Sequence, residues 1–110
     1  MMEAFPEPIR RLPQADIPLK GLSAYLMQGA DQQVLFMEFA EDADIPLHTH
    51  ESQWSVVLRG QIDISMEGAT HTYGRGESFL VPRGVQHAAK IHAGYADITF
   101  FDERNRYRVK

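Results

Sequence analysis

Two histidines, His48 and His50, stand one residue apart in His48-Thr49-His50, and a third, His87, closes the segment Gly76-Glu77-Ser78-Phe79-Leu80-Val81-Pro82-Arg83-Gly84-Val85-Gln86-His87. In an extended strand alternate side chains share a face, so His48 and His50 can aim both imidazoles at one point. Imidazole nitrogen is the commonest protein donor to transition metals. His87 follows a tight turn, where it can join the pair from a neighbouring strand. The three histidines together predict a metal pocket inside a small β-barrel.

The elements that must position them are short strands. Predicted strands cover Leu22–Gln28, Gln33–Ala40, Ile45–His50, Trp54–Leu58, Gln61–Glu67, Thr70–Tyr73, Ser78–Val81, Val85–Ile91 and Tyr95–Asp102. Turn signals separate them: Gly29-Ala30-Asp31, the acidic loop Glu41-Asp42-Ala43-Asp44, Gly68-Ala69, Gly74-Arg75-Gly76, Pro82-Arg83-Gly84 and Ala93-Gly94. The run Gln61–Glu67 alternates Ile62, Ile64 and Met66 with polar residues, the pattern of a half-buried strand. No segment has helical periodicity, and many short strands between glycine and proline turns imply an all-β sandwich or barrel. Residues 1–21 carry Pro6, Pro8, Pro13 and Pro18, which forbid a long helix. They are expected to form an extended arm, docked through Phe5, Ile9, Leu12, Ile17 and Leu19 on the barrel of residues 22–110 or on a partner subunit.

Composition narrows the chemistry. The chain has 110 residues and no cysteine, which excludes disulfides, thiolate ligands and a cysteine nucleophile. Any metal must be held by nitrogen and oxygen donors. A net charge of −4 argues against a nucleic-acid partner. The locally basic run Arg104–Lys110 is expected to be a solvated tail. No stretch approaches the ~20 apolar residues of a membrane span, and the N-terminus lacks the apolar core of a signal peptide. A cytoplasmic protein without membrane contact is the expectation.

The two histidine segments resemble the two motifs of the cupin superfamily, in its small single-domain bacterial form. His48, His50 and Gly60 match the first motif. Gly76, Pro82, Gly84 and His87 match the second at every spacing. The resemblance implies a double-stranded β-helix, or jelly-roll barrel, and a homodimer. It also implies a divalent transition metal (Zn, Ni, Fe or Mn, with Cu open to the same donors) held by His48, His50, Gln53 and His87. The family's glutamate ligand is missing: counted back from Gly60, its position holds Gln53. Glu51 lies nearby but off that count, and Ile91 replaces the asparagine that ends the second motif.

Glutamine can ligate through its amide oxygen but adds no charge. A neutral donor set leaves a divalent cation uncompensated, which predicts looser metal affinity and attraction for a small polar or anionic ligand. Such a site suits either a metal-dependent enzyme or a non-catalytic ligand-binding barrel. No general base stands out; Glu51, Glu77 and Tyr25 are candidates. His71 and His92 are expected at the surface, and Arg59 and Arg83 solvated at turns. If Gln53 faces the metal, Trp54 faces away, toward a subunit interface. Phe36, Met37, Phe39, Phe79, Phe100 and Phe101 are expected in the core or the pocket wall.

Overall fold

The computed structural model describes residues 3–110, so the first two residues of the expected arm lie outside the description. Nine strands are found among the described residues: β1 (Leu22–Gln28), β2 (Gln33–Phe39), β3 (Ala43–His48), β4 (Gln53–Arg59), β5 (Gln61–Met66), β6 (Ala69–Gly74), β7 (Ser78–Val81), β8 (His87–Ile91) and β9 (Ala96–Phe101). They form two antiparallel sheets, a five-stranded one ordered β1-β2-β9-β4-β7 and a four-stranded one ordered β3-β8-β5-β6. This is the all-β barrel expected from the turn pattern, in the jelly-roll form that the family resemblance implies.

Two boundaries differ from the sequence expectation in ways that matter for chemistry. β3 ends at His48, so His50 lies in the loop beyond it. Pro46 has no N–H to give the ladder, and the pairing of β3 with β8 shifts register between Ile45 and His48. β8 begins at His87 because Val85 is still in the turn, its N–H bonded to the Pro82 carbonyl at 3.2 Å. One helical turn, Glu7–Arg10, occurs in the proline-rich arm; proline is tolerated in a first turn, where its missing N–H has no partner to lose.

The four-stranded sheet buries its apolar parity in the usual way. Ile62, Ile64 and Ile91 point inward and join Phe39, Val57, Phe79, Val81 and Tyr95 in the main core. Ala15, Ala24, Leu26, Leu35 and Phe101 form a second cluster. Central strands of the five-stranded sheet invert the rule. On β9, Asp97 and Thr99 are buried while Phe100 is 39% exposed. On β4, Ser55 is fully buried while Trp54 is 45% exposed. Ser55, Asp97 and Thr99 face into the barrel beside Val57 and Phe101, while Trp54 and Phe100 face out, so Phe100, expected in the core or wall, is instead on the outer surface.

Both chain ends close the barrel. Pro13 and Ala15 bond to β1 through Leu26 N–H to Pro13 O (2.8 Å) and Ala15 N–H to Ala24 O (2.9 Å). Residues 108–110 then pair with the arm, through Asp16 N–H to Arg108 O at 2.7 Å and Lys110 N–H to Gln14 O at 2.9 Å. The Gln33 amide clamps the Tyr107 backbone from both sides, accepting from its N–H at 3.0 Å and donating to its carbonyl at 2.9 Å. The basic C-terminal run is therefore docked through its backbone by a buried glutamine and the arm, with Arg104, Arg108 and Lys110 exposed as expected and Arg106 and Tyr107 turned partly inward. Among the described residues no helix is long and apolar enough to cross a membrane.

Candidate metal centre

His48, His50 and His87 converge. One ring nitrogen from each lies within 4.8 Å of the others, and ring centroids are 4.2 Å (His48–His87), 4.6 Å (His50–His87) and 5.1 Å (His48–His50) apart. His48 and His87 face each other because β3 and β8 pair there. The loop residue His50 is brought in by the second motif: its carbonyl accepts the Gly84 N–H at 3.0 Å. Gly84 has φ +75°, a left-handed conformation that glycine adopts without a side-chain clash. The turn that leads to His87 thus also fixes His50.

Each imidazole is oriented by a backbone carbonyl. Nδ1 of His48 donates to Pro46 O (2.8 Å), that of His50 to Glu51 O (2.6 Å) and that of His87 to Val85 O (2.9 Å). Carbonyl oxygen only accepts, so Nδ1 carries a proton, and in the neutral ring Nε2 is the nitrogen that presents its lone pair. Burial lowers the His50 pKa to about 4, with the neighbouring His87 adding to the effect and the Glu51 carbonyl opposing it. Burial likewise lowers that of His87, against the Val85 carbonyl. Neutral rings with an outward lone pair are the form a metal requires.

Three donors held about 2.1 Å from one cation stand about 3.4 Å apart, so the three rings need to draw together by at most about 1.4 Å to share one ion. The histidine group could hold a metal. Gln53, at the start of β4, lines the same cavity. Its Nε2 donates to the Ser55 hydroxyl at 3.0 Å, which leaves the amide Oε1 as its group for a cation. Glu51 is turned away and paired with Arg83 at 3.3 Å. Arg59 is bonded to the Gly94 carbonyl (3.0 Å) and lies 3.7 Å from Glu38, so it is not simply solvated at its turn, whereas the Arg83 side chain is 77% exposed, as expected.

The cavity, of about 90 Å³, runs inward from the histidines between the two sheets. Its walls are largely aliphatic: Ile45, Ile62, Ile64 and Ile91 from the four-stranded sheet, and Ile17 and Leu19 from the arm. The base candidates named from sequence are not on its wall: Glu77 accepts the Gly74 N–H, and Tyr25 is buried with Phe5 at its ring edge. His92 bonds Asp63 at 2.9 Å and His71 is exposed on β6, both outside the cluster as expected.

Sequence reasoning missed Asp97, Arg106 and Tyr107, which also line the cavity. Asp97 is 2% exposed. Its Oδ2 accepts the Tyr95 hydroxyl at 2.5 Å, and its Oδ1 has no hydrogen-bond partner among the described residues. Burial pushes its pKa up to about 7, opposed by the Tyr95 and Thr99 hydroxyls. Arg106 stacks its guanidinium 4.6 Å from the Tyr107 ring centroid and 5.7 Å from that of Phe101, and its buried Nε also lacks a partner. The only signal for Asp97 was its parity: it shares the face of Phe101, whose pairing with Gln53 ties that face to the metal end.

Several solved structures share this fold. An RmlC-like cupin from Shewanella frigidimarina superposes with a TM-score of 0.75 at 23% identity, over 96% of this chain and 95% of the other. KdgF from Halomonas sp. gives 0.69 at 20% identity, covering 83% and 87%. Oxalate decarboxylase from Bacillus subtilis, described with Mn(II) centres, gives 0.71 at 20% identity over 84% of this chain but 28% of its own length. No curated protein matches the sequence. Residues 35–102, which carry both histidine motifs, match the family model of the cupin domain, and the chain belongs to the cupin family.

Proposed function

We propose that the protein holds a divalent transition metal (Zn, Ni, Fe or Mn) on His48, His50, His87 and Gln53, and acts on or binds a small anionic molecule in the cavity behind it. The observation that carries this reading is the convergence of three imidazoles, each with its Nδ1 bonded to a backbone carbonyl. When bound, the metal supplies a Lewis acid with open coordination positions. The chain's own residues provide the rest. Gln53 adds no charge, so an anion would complete the neutral donor set. Arg106, with an unpartnered buried Nε on the cavity wall, offers that anion a guanidinium. The aliphatic walls exclude bulk water from the pair.

The deciding experiment is elemental analysis of protein purified without a chelating column. One metal per chain is expected in the wild type, and none in His87→Ala or His48→Ala. Equal trace metal in all three proteins would remove the site assignment. A second reading, a ligand-binding barrel without turnover, is favoured by the aliphatic lining. Turnover against a panel of small acids and carbonyls, with oxygen uptake recorded, separates the two.

A second copy of the chain is the proposed partner, inside a cytoplasmic setting with no nucleic acid or membrane. The support is the inverted sheet. Cross-strand pairing sets Met27, Val34, Phe100, Trp54 and Leu80 in one row across all five strands of the outer face. Four of these are exposed, between 39% and 55%. Covering this face on two copies would bury on the order of 1,200 Å², the lower end of stable interfaces. Sedimentation at micromolar concentration should show a dimer, and Leu80→Lys a monomer. A monomeric wild type would end this reading.

A further inference from the structure

We propose that Asp97 is the charge partner of the metal centre: the protein takes up the metal ion in exchange for the proton of this buried carboxyl. The inference rests on the metal reading above. It starts from a mismatch, since three neutral imidazoles and an amide bring no negative charge to a dication in a cavity with aliphatic walls. Asp97 is the only carboxylate on that cavity's wall among the described residues. An acid on an aliphatic wall costs stability unless something compensates its charge, and its Oδ1 has no partner to do so.

The placement is specific. Asp97 pairs with Val57 on β4, and Gln53 pairs with Phe101 on β9, so the carboxyl sits four residues along the strand from the ligand layer. Four residues of strand span about 13 Å. Between them, on the same inner face, Ser55 and Thr99 share a hydroxyl–hydroxyl bond at 2.7 Å, and Gln53 donates to Ser55. A short polar track therefore leads from the metal end toward the acid.

Few other charges act there. On its own strand and just before it, Asp97 meets the Thr99 and Tyr95 hydroxyls. β2 and the opposite sheet contribute Met37, Ile62, Ile64 and Ile91 to the same cavity. The C-terminal segment brings the Arg106 guanidinium and the Tyr107 phenol; Asp97 and Glu103 both act on Tyr107. His48, His50 and His87 sit at the metal end.

The exchange balances. The Tyr95 hydroxyl occupies Oδ2 as donor, so in the metal-free protein the acid proton sits on Oδ1. A dication arrives, the Oδ1–H bond breaks, and the proton passes to buffer, so the cavity gains one net positive charge instead of two. At a separation near 13 Å and an effective dielectric of about 20, a dication lowers the pKa of a carboxyl by about two pH units. Burial holds Asp97 near 7 in the empty cavity, which puts this release in the range between about pH 5 and 7.

The test is isothermal calorimetry with Zn²⁺ or Mn²⁺ at pH 6, in buffers of different ionisation enthalpy, which counts protons released per metal. Wild type should release about 0.8 proton more than Asp97→Asn, and its affinity relative to the variant should rise about fiftyfold from pH 5 to 8. Histidine protons are common to both and cancel. Tyr95→Phe, which removes the donor to Oδ2, should move the release window to higher pH, and it serves should Asp97→Asn fold poorly. Metal binding with equal proton counts and parallel pH dependence in wild type and Asp97→Asn overturns the proposal while leaving the metal reading intact. Failure of any metal to bind the wild type overturns both.

Discussion

Replacing Asp97 with asparagine tests the electrostatics of the cavity even without a metal. The carboxyl titrates near 3.8 when unfolded and near 7 when folded, so between these values the folded state holds a proton that the unfolded state has lost. Stability therefore falls as pH rises through this window and levels off above it. About three pH units, at ~1.4 kcal/mol each, makes a penalty of about 4 kcal/mol above pH 7. Roughly 3 kcal/mol of it accumulates between pH 4.5 and 8. Asparagine keeps an acceptor for the Tyr95 hydroxyl and places an amide donor where the acid carries its proton, at a pH-independent cost of about 1–3 kcal/mol. Relative to wild type the variant should be less stable at pH 4.5 and should gain about 3 kcal/mol by pH 8. Urea unfolding followed by circular dichroism, with chelator present, measures this; the histidines titrate alike in both proteins. Stability curves that stay parallel from pH 4.5 to 8 would refute the account of Asp97 as a protonated buried acid.

Other consequences are as direct. In the metal-free protein the His50 ring should remain neutral at pH 5.5 and titrate near pH 4, visible in imidazole carbon shifts; an ordinary midpoint near 6.5 would show that the ring is solvated. Gln53→Glu places a carboxylate in the ligand layer and should tighten divalent metal binding tenfold or more by competition with a chelating dye; an unchanged affinity removes Gln53 from the ligand set. Gly60→Ala should cost about 3 kcal/mol or more in thermal and urea unfolding, because a Cβ there would lie 2.6 Å from the Tyr95 Cα and the residue has φ +75°. A change under 1 kcal/mol would mean that the close approach of the β4–β5 turn to Tyr95 is easily relieved.

The histidine triad was legible because its spacing carries backbone reasons. His87 follows a turn that needs Pro82 and Gly84, and Gly60 marks where two chain segments touch. Strand positions were legible from glycine and proline punctuation. Three things were not. β3 shifts register around Pro46 and stops at His48, which leaves His50 in a loop that reaches the site through Gly84. In Ala96-Asp97-Ile98-Thr99-Phe100 the apolar parity points outward, so ordinary amphipathic reading assigns Asp97 to solvent and Phe100 to the core. That reversal depends on what covers each face, which alternation alone does not encode. Arg106 and Tyr107 gave no local signal, because their place depends on an amide clamp from Gln33, more than seventy residues away.

The inverted parity of β4 and β9 divides the protein's obligations between its two sheets. Ile62, Ile64 and Ile91 on the four-stranded side anchor the core, while Gln53 and Asp97 present polar groups to the cavity from the other side, with the buried Ser55–Thr99 hydroxyl pair between them. Exchanges among such short side chains change what the cavity recognises while removing little buried apolar area. Mutational tolerance should therefore be lopsided: a library at positions 53, 55, 97 and 99 would keep a larger folded fraction than one at 62, 64 and 91. New ligand preferences would be reached from one wall of the barrel, with the other left as inherited scaffold.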